Sequence, residues 1–190
     1  MNLYDRLGKP LLDRVLAGSA LVVLSPLMLL TAVAIWLEDR GTPFFRQERV
    51  GQQGRPFRIV KFRSMPIGTP SVPSEAASSL RVTRVGRFIR RTNIDELPQL
   101  WNVVRGDMSL VGPRPALPSQ SSLVTLRRQR GADRVAPGLT GLAQVNAYDG
   151  MPEGEKVDWD SRYERSVSML GDLRIMLATV GYLLRRPPVY

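Results

Sequence analysis

The strongest pattern in the chain is an uncharged apolar run over residues 15–37, VLAGSALVVLSPLMLLTAVAIWL. It exceeds the roughly 20 residues that a helix needs to cross the hydrocarbon core of a bilayer, which predicts a membrane segment. No small-residue cleavage site follows, and the run is too long for the short core of a secretory signal, so a retained segment is expected. Ser25 and Pro26 fall near its centre. Proline removes an N–H and clashes with the preceding turn, so the helix is expected to kink or break there. Each half is then about 10 or 11 residues, or roughly 15 to 17 Å, about half the hydrocarbon thickness. Arg6, Lys9 and Arg14 precede the run, and Arg40, Arg46 and Arg49 follow it. A single span should be asymmetric in flanking charge, whereas a helix that dips into one leaflet and returns keeps both basic flanks on one side. The pattern alone leaves two forms open: a re-entrant helix-break-helix, and a plain spanning helix with a tolerated proline.

Beyond this run, residues 44–49 and 57–62 alternate apolar with polar positions around Gly51-Gln52-Gln53-Gly54, the pattern of a β-hairpin. Residues 66–79 are rich in Pro and Ser, present no periodic apolar face, and read as a surface loop. Arg81, Arg84, Arg87 and Arg90 then recur every third residue, with Val82, Val85, Phe88 and Ile89 between them, predicting an amphipathic helix with a row of guanidinium groups on its polar face. Pro113 and Pro115 preclude a helix running through residues 100–117, and Gly138, Gly141 and Gly150 mark an irregular region. Residues 171–186 read as a final helix with Leu173, Met176, Leu177, Val180 and Leu184 on one side, and Arg185 and Arg186 suited to its C-terminal dipole or to anionic lipid. The expected fold is α+β and mainly helical, with the hairpin and surface amphipathic helices around one small catalytic domain. Residues 1–40 would form the membrane helix region and residues 41–190 the catalytic domain, the two making one structural unit.

Composition narrows the chemistry. The chain has 190 residues and a formal net charge of +10, so its partners should be anionic: nucleic acid, acidic lipid headgroups or phosphorylated substrates. It contains neither Cys nor His. Disulfides, thiolate nucleophiles, Cys/His zinc sites and imidazole acid–base catalysis are thereby excluded, leaving carboxylates, Lys, Arg, Tyr, Ser and Thr to do any chemistry.

Asp95 and Glu96 stand out among these, flanked by apolar Ile94 and Leu97 just after the arginine row. One reading is that they merely pair with Arg90 and Arg91 at the surface. The other is chemical: a carboxylate can attack phosphorus, and two adjacent hard oxygen donors suit Mg²⁺ bridging to a diphosphate whose charge the arginines clamp. In Lys61-Phe62-Arg63-Ser64-Met65, Lys61 and Arg63 share one face of a strand, making either a phosphate seat or a solvated basic edge. Gly112-Pro113-Arg114-Pro115 holds Arg114 in a stiff extended frame, which reduces the entropy lost on gripping an anion. The glycines of Gly138-Leu139-Thr140-Gly141 could admit a phosphate, or simply shape a loop.

These pieces in this order resemble the bacterial sugar transferase family, the monotopic phosphoglycosyl transferases that begin assembly of lipid-linked glycans. The resemblance covers nearly the whole chain and rests on Ser25-Pro26, FFRQERVG (44–51), KFRSM (61–65), TRVGRFIRRTNIDELPQLWNV (83–103), GDMSLVGPRP (106–115) and PGLTGLAQVN (137–146). It implies a re-entrant helix broken at Ser25 and Pro26, and a site of Asp95, Glu96 and Mg²⁺ at the cytoplasmic face of the bacterial inner membrane. By the same resemblance Asp95 attacks the β-phosphate of a UDP-sugar, UMP leaves, and a phosphosugar-aspartyl intermediate passes its group to polyprenyl (undecaprenyl) phosphate. Glu96 would hold Mg²⁺ with Asp95, Lys61 and Arg90 would neutralise phosphate charge, and Arg114, framed by Pro113 and Pro115, would contact the nucleotide. Arg63 would join the phosphate seat.

Three departures from the family's pattern bear on the sugar. Leu142 stands where Trp is frequent, Ala147 and Tyr148 where Gly-Arg is frequent, and the loop from Pro66 lacks the acidic residues common there. The chain's length resembles the minimal members, many of which handle N-acetylated sugars. Membrane lipids are expected partners, and homo-oligomers are left open. The rival classes are a membrane-tethered nucleic-acid-binding protein and a bare scaffold. Nucleic acid is not expected, because only 7% of residues are aromatic and no stacking platform is interleaved with the basic ones.

Overall fold

The structure, a computed structural model, describes residues 3–69, 81–148 and 151–185. Most of the loop expected after Pro66, together with Gly150 and Arg186, lies outside the described residues.

One π-helical turn, Tyr4–Gly8, leads into α1, Lys9–Asp39. With the turn it forms, among the described residues, the one helix long and apolar enough to cross a membrane. Pro10 in the first turn loses no hydrogen bond there. Arg40 closes the helix in the left-handed region (φ 59°), its N–H donating to the Trp36 carbonyl at 2.7 Å. The expected interruption at Pro26 does not occur, for α1 is helical throughout. Pro26 deprives the Val22 carbonyl of its usual N–H donor, and Ser25 Oγ donates to that same carbonyl at 2.7 Å. A hydroxyl thus replaces the missing bond and the helix passes the proline intact.

The buried stripe of α1 is Lys9, Asp13, Ala17, Thr31 and Ile35. Ala17 is fully enclosed by Ile59, Leu100, Val103 and Met108, with Ala20, Leu21 and Leu24 packed alongside. One side of the apolar run therefore rests on the body of the protein. Lys9 is no lipid-facing flank: it is buried, donating to Asp172 Oδ2 at 2.7 Å, and the same carboxylate accepts from the hydroxyls of Tyr4 and Tyr163. Asp13 accepts from Ser109 Oγ at 2.6 Å.

The hairpin forms as patterned. β1 (Phe44–Val50) pairs antiparallel with β2 (Pro56–Phe62), Phe45 opposite Lys61, around a turn in which Gln53 and Gly54 have positive φ. Asn102 braces β2 from the side, accepting from the Val60 N–H and donating to the Arg58 carbonyl. α2 (Arg84–Arg91) starts at Thr83, whose side chain accepts from Gly86 N, while Glu38 at the end of α1 accepts from the N–H groups of Arg84 and Val85. Ile89 packs with Ile35 and Phe62, and Val85 joins them, but Phe88 is 62% exposed. The amphipathic helix is real; Phe88 lies on its outer face.

Asn93, in the left-handed region (φ 55°), turns the chain into a 3₁₀ helix, Ile94–Gln99, which continues as α3 (Leu100–Arg105). β3 (Ser109–Val111) runs parallel to β4 (Gly138–Thr140). Between them lie α4 (Ser121–Gln129) and a short 3₁₀ turn, Ala132–Arg134; α5 (Leu142–Val145), α6 (Glu153–Arg165) and α7 (Met169–Arg185) follow. A side chain at Gly138 would meet Gly112 N at 2.1 Å, and one at Gly141 would meet Gly112 O at the same distance. These glycines let two backbone segments touch, so the structure gives them a packing role instead of the phosphate-admitting one entertained from sequence. On α7, Asp172 and Ile175 are buried while Leu173, Leu177 and Val180 face outward, 48–64% exposed.

Candidate active site

Asp95 and Glu96 occupy the first turn of the 3₁₀ helix, where β2, the end of α2 and the segment after β3 converge. They do not pair at the surface with Arg90 and Arg91. Glu96 Oε1 accepts from Lys61 Nζ on β2 at 2.7 Å and from Arg114 Nη2 at 2.9 Å, and its side chain is 14% exposed. Burial alone would raise its pKa, but Arg114 and Lys61 outweigh that and hold the carboxyl well below the usual range. Glu96 is ionised at any working pH.

Asp95 is 7% exposed and its Oδ1 is buried without a hydrogen-bond partner. Burial pushes its pKa up to about 6, and adjacent Glu96 adds to this; Lys61, Arg90 and Arg114 pull the other way without cancelling it. The sequence therefore yields one carboxylate satisfied by two cations and, next to it, one with a buried oxygen that has no donor.

Arg114 is set by its backbone. The Gly112 N–H donates to the Thr140 carbonyl, the Pro113 carbonyl accepts from Gly138 N, and the Pro115 carbonyl accepts from Arg49 Nη1. Pro113 and Pro115 are buried and Arg114 is half-buried between them. The Arg114 carbonyl accepts from Arg127 Nη1 at 2.7 Å, and Arg127 is itself held by Asp160 through Nε (2.9 Å) and Nη2 (2.7 Å). Sequence reasoning missed Arg127 and Asp160. They lie 33 positions apart, and Arg127 sits among several arginines with nothing to single it out.

Arg63 does not join the cluster. β2 ends at Phe62, and Arg63 instead grips Asp39 at the end of α1 with both terminal nitrogens, at 2.5 and 2.6 Å, while donating to the Thr42 and Met65 carbonyls. A guanidinium so committed ties the hairpin to α1. Of the arginine row, Arg90 alone is turned toward Asp95 and acts on it electrostatically; Arg81, Arg84 and Arg87 are exposed. Ser25 and Pro26 lie on the exposed side of α1, away from this cluster.

A divalent cation is tested by the donor set. Among the described residues, no three acidic side chains gather to form a closed metal cage. Two carboxylates with one unpartnered buried oxygen do fit Mg²⁺, which keeps waters and shares substrate phosphates.

Residues 4–186 match the bacterial sugar transferase family. The chain belongs to that family. It is 44% identical, over 97% of its length, to a UDP-glucose:undecaprenyl-phosphate glucose-1-phosphate transferase of Caulobacter vibrioides, 72% of which is covered. It is 37% identical over 98% of its length to a UDP-galactose-lipid carrier transferase of Erwinia amylovora, of which it covers 42%. It is 39% identical over 93% of its length to an uncharacterized sugar transferase, EpsL, of Bacillus subtilis, of which 87% is covered. Several relatives are thus much longer than the matched part, while this bacterial sugar transferase aligns with nearly the whole of EpsL.

Proposed function

We propose that the chain is a phosphoglycosyl transferase that moves a hexose-1-phosphate from a UDP-sugar to polyprenyl phosphate, releasing UMP, as a membrane step of glycan assembly. The observation that carries the chemistry is the contrast between Glu96, satisfied by Lys61 and Arg114, and Asp95, buried with an unpartnered Oδ1. An ionised carboxylate with a raised pKa and one buried oxygen free of donors is a competent nucleophile. An Asp95 carboxylate oxygen attacks the β-phosphorus, the bond from that phosphorus to the bridging oxygen breaks, and UMP departs with the electron pair. An oxygen of polyprenyl phosphate then attacks the same phosphorus, and Asp95 leaves as carboxylate. Lys61, Arg90 and Arg114 surround the diphosphate position with positive charge. Mg²⁺, held by Asp95 and Glu96, would supply further neutralisation of the diphosphate.

The membrane arrangement follows from the anchoring of α1. Its first turns are tied to Asp172 and Ser109, and its last to Arg63, all on the same body. A helix held at both ends by one polar domain does not deliver those ends to opposite sides of a bilayer. α1 is therefore read as monotopic, entering one leaflet with both ends at the cytoplasmic surface. Its outward Val22, Val23, Leu29 and Leu30, each 66–75% exposed, face lipid, as do Leu173 and Leu177 of α7. In that arrangement a lipid acceptor would meet a donor arriving from water.

For the sugar, the named relatives act on UDP-glucose and UDP-galactose, which turns the proposal to a hexose and away from the N-acetylated donors suggested by length. The deciding experiment measures UMP release from a panel of UDP-sugars with undecaprenyl phosphate and Mg²⁺. Release from UDP-glucose or UDP-galactose, with label recovered in lipid, is expected. No release from any UDP-sugar would sink the proposal.

A further inference from the structure

Arg90 turns to Asp95, but the other side of α2 points away from the site and has no role in the chemistry above. At roughly 100° per residue, Arg84, Arg87, Phe88 and Arg91 fall within an arc of about 100°, opposite buried Gly86 and Ile89. All four are exposed, Phe88 at 62%. Among the described residues none of the three arginines meets a carboxylate through its side chain. An aromatic ring set between unpaired guanidinium groups suits the headgroup layer of a bilayer, where the ring enters the acyl boundary and the cations meet phosphate.

The location agrees. α2 is fastened to the end of α1 by Glu38 and packs against its second half through Ile35, Ala32 and Met28. One turn before that end, the Arg40 guanidinium lies over the half-exposed Trp36 ring, at 4.3 Å from its centroid. A second basic–aromatic pair thus marks the same level of the molecule. The outer face of α2 continues the lipid-facing surface of α1.

We infer that the outer face of α2, formed by Arg84, Arg87, Phe88 and Arg91, docks on anionic phospholipid headgroups and sets the height of Asp95 above the membrane. The inference rests on the monotopic reading of α1. α2 leads through Asn93 directly into the Asp95 turn, so fixing α2 fixes the nucleophile relative to a phosphate at the bilayer surface.

Because the chain has no cysteine, single labels test this in the full-length protein. An environment-sensitive fluorophore on Phe88→Cys is read in phosphatidylcholine bilayers with and without phosphatidylglycerol, using a headgroup-level lipid quencher. A severalfold rise in quenching with phosphatidylglycerol is expected, reversed by high salt. It should be erased by Arg84→Gln, Arg87→Gln and Arg91→Gln together, with the unfolding temperature unchanged. Equal quenching in the two bilayers, or a label in water in both, overturns the inference. A second label at Val23→Cys separates the two failures. If Val23 is lipid-exposed while Phe88 is not, only the docking of α2 falls; if neither is, the membrane reading falls with it.

Discussion

Asp95 and Glu96 are neighbours in a single 3₁₀ turn, yet Glu96 shares one oxygen between Lys61 and Arg114 while Asp95 keeps a buried oxygen with no donor. The roles proposed for them divide accordingly. Asp95→Asn should abolish UMP release, by on the order of 10³-fold or more, because an amide cannot form the acyl phosphate. The same change should raise stability in metal-free buffer at neutral pH. A carboxylate whose pKa is raised contributes stability below its unfolded value that is lost as pH climbs through the folded value of about 6. Removing the charge recovers up to about 3 kcal/mol, the shift converted at 1.36 kcal/mol per unit. Thermal unfolding at neutral and acidic pH checks this: the gain should vanish below about pH 4, near the ordinary carboxylate value.

The pH dependence of turnover follows from the same group. Asp95 must be ionised to attack, so kcat/KM for the UDP-sugar should fall about tenfold per unit on the acid limb, with a midpoint near 6 at limiting Mg²⁺ that moves down as Mg²⁺ on the same carboxylate is raised. The donor's diphosphate titrates well below this range and Glu96 is held ionised throughout, so neither blurs the limb. A midpoint near 4 that does not move with Mg²⁺ concentration would show that burial does not set the charge of Asp95.

Behind Arg114 stands a buried ion pair that the sequence did not reveal. Asp160→Asn strands the Arg127 guanidinium in the interior and should cost about 3–5 kcal/mol, seen as a large drop in unfolding temperature. Arg127→Met with Asp160→Leu should recover most of that stability. It should not recover activity, because the Arg114 carbonyl has lost its donor and the loop carrying Arg114 is freed. Full activity in the paired apolar variant would show that Arg127 and Asp160 merely fill space.

What was legible in the sequence follows from the range of the interactions. The hairpin announces itself by alternation and a Gly-rich turn, and the apolar run by length, since both are local patterns. The adjacency of Asp95 and Glu96 is likewise written in the chain. The partners of each are not. Lys61 and Arg63 are two positions apart, yet one reaches Glu96 and the other Asp39, because the strand ends between them. The Asp160 to Arg127 to Arg114 relay joins distant segments, and α7 turns its apolar side outward because Asp172 is needed inside to hold Lys9.

Ser25 and Pro26 predict a coupled effect. Ser25→Ala leaves the Val22 carbonyl without a donor in an apolar setting and should cost about 1–2 kcal/mol in reconstituted protein. Pro26→Ala restores the N–H that the carbonyl ordinarily receives. In that background Ser25→Ala should be nearly neutral, and unfolding of the four proteins in nanodiscs yields the coupling. Additive costs would mean that the hydroxyl does not replace the proline's missing bond.

The path of α1 through the membrane is open to a direct test because both of its ends are tied to one body. At about 1.5 Å per residue its 31 residues span roughly 46 Å, ample to cross a hydrocarbon core of about 30 Å if nothing held it. Lys9 on Asp172 and Asp39 on Arg63 do hold it, and crossing would require one of these buried or bidentate pairs to break. Single cysteines at Arg6→Cys and Thr42→Cys, both exposed positions, should therefore be labelled from the same side of intact membrane vesicles. Labelling from opposite sides would establish a true span and require the contacts at one end of α1 to be absent in the membrane.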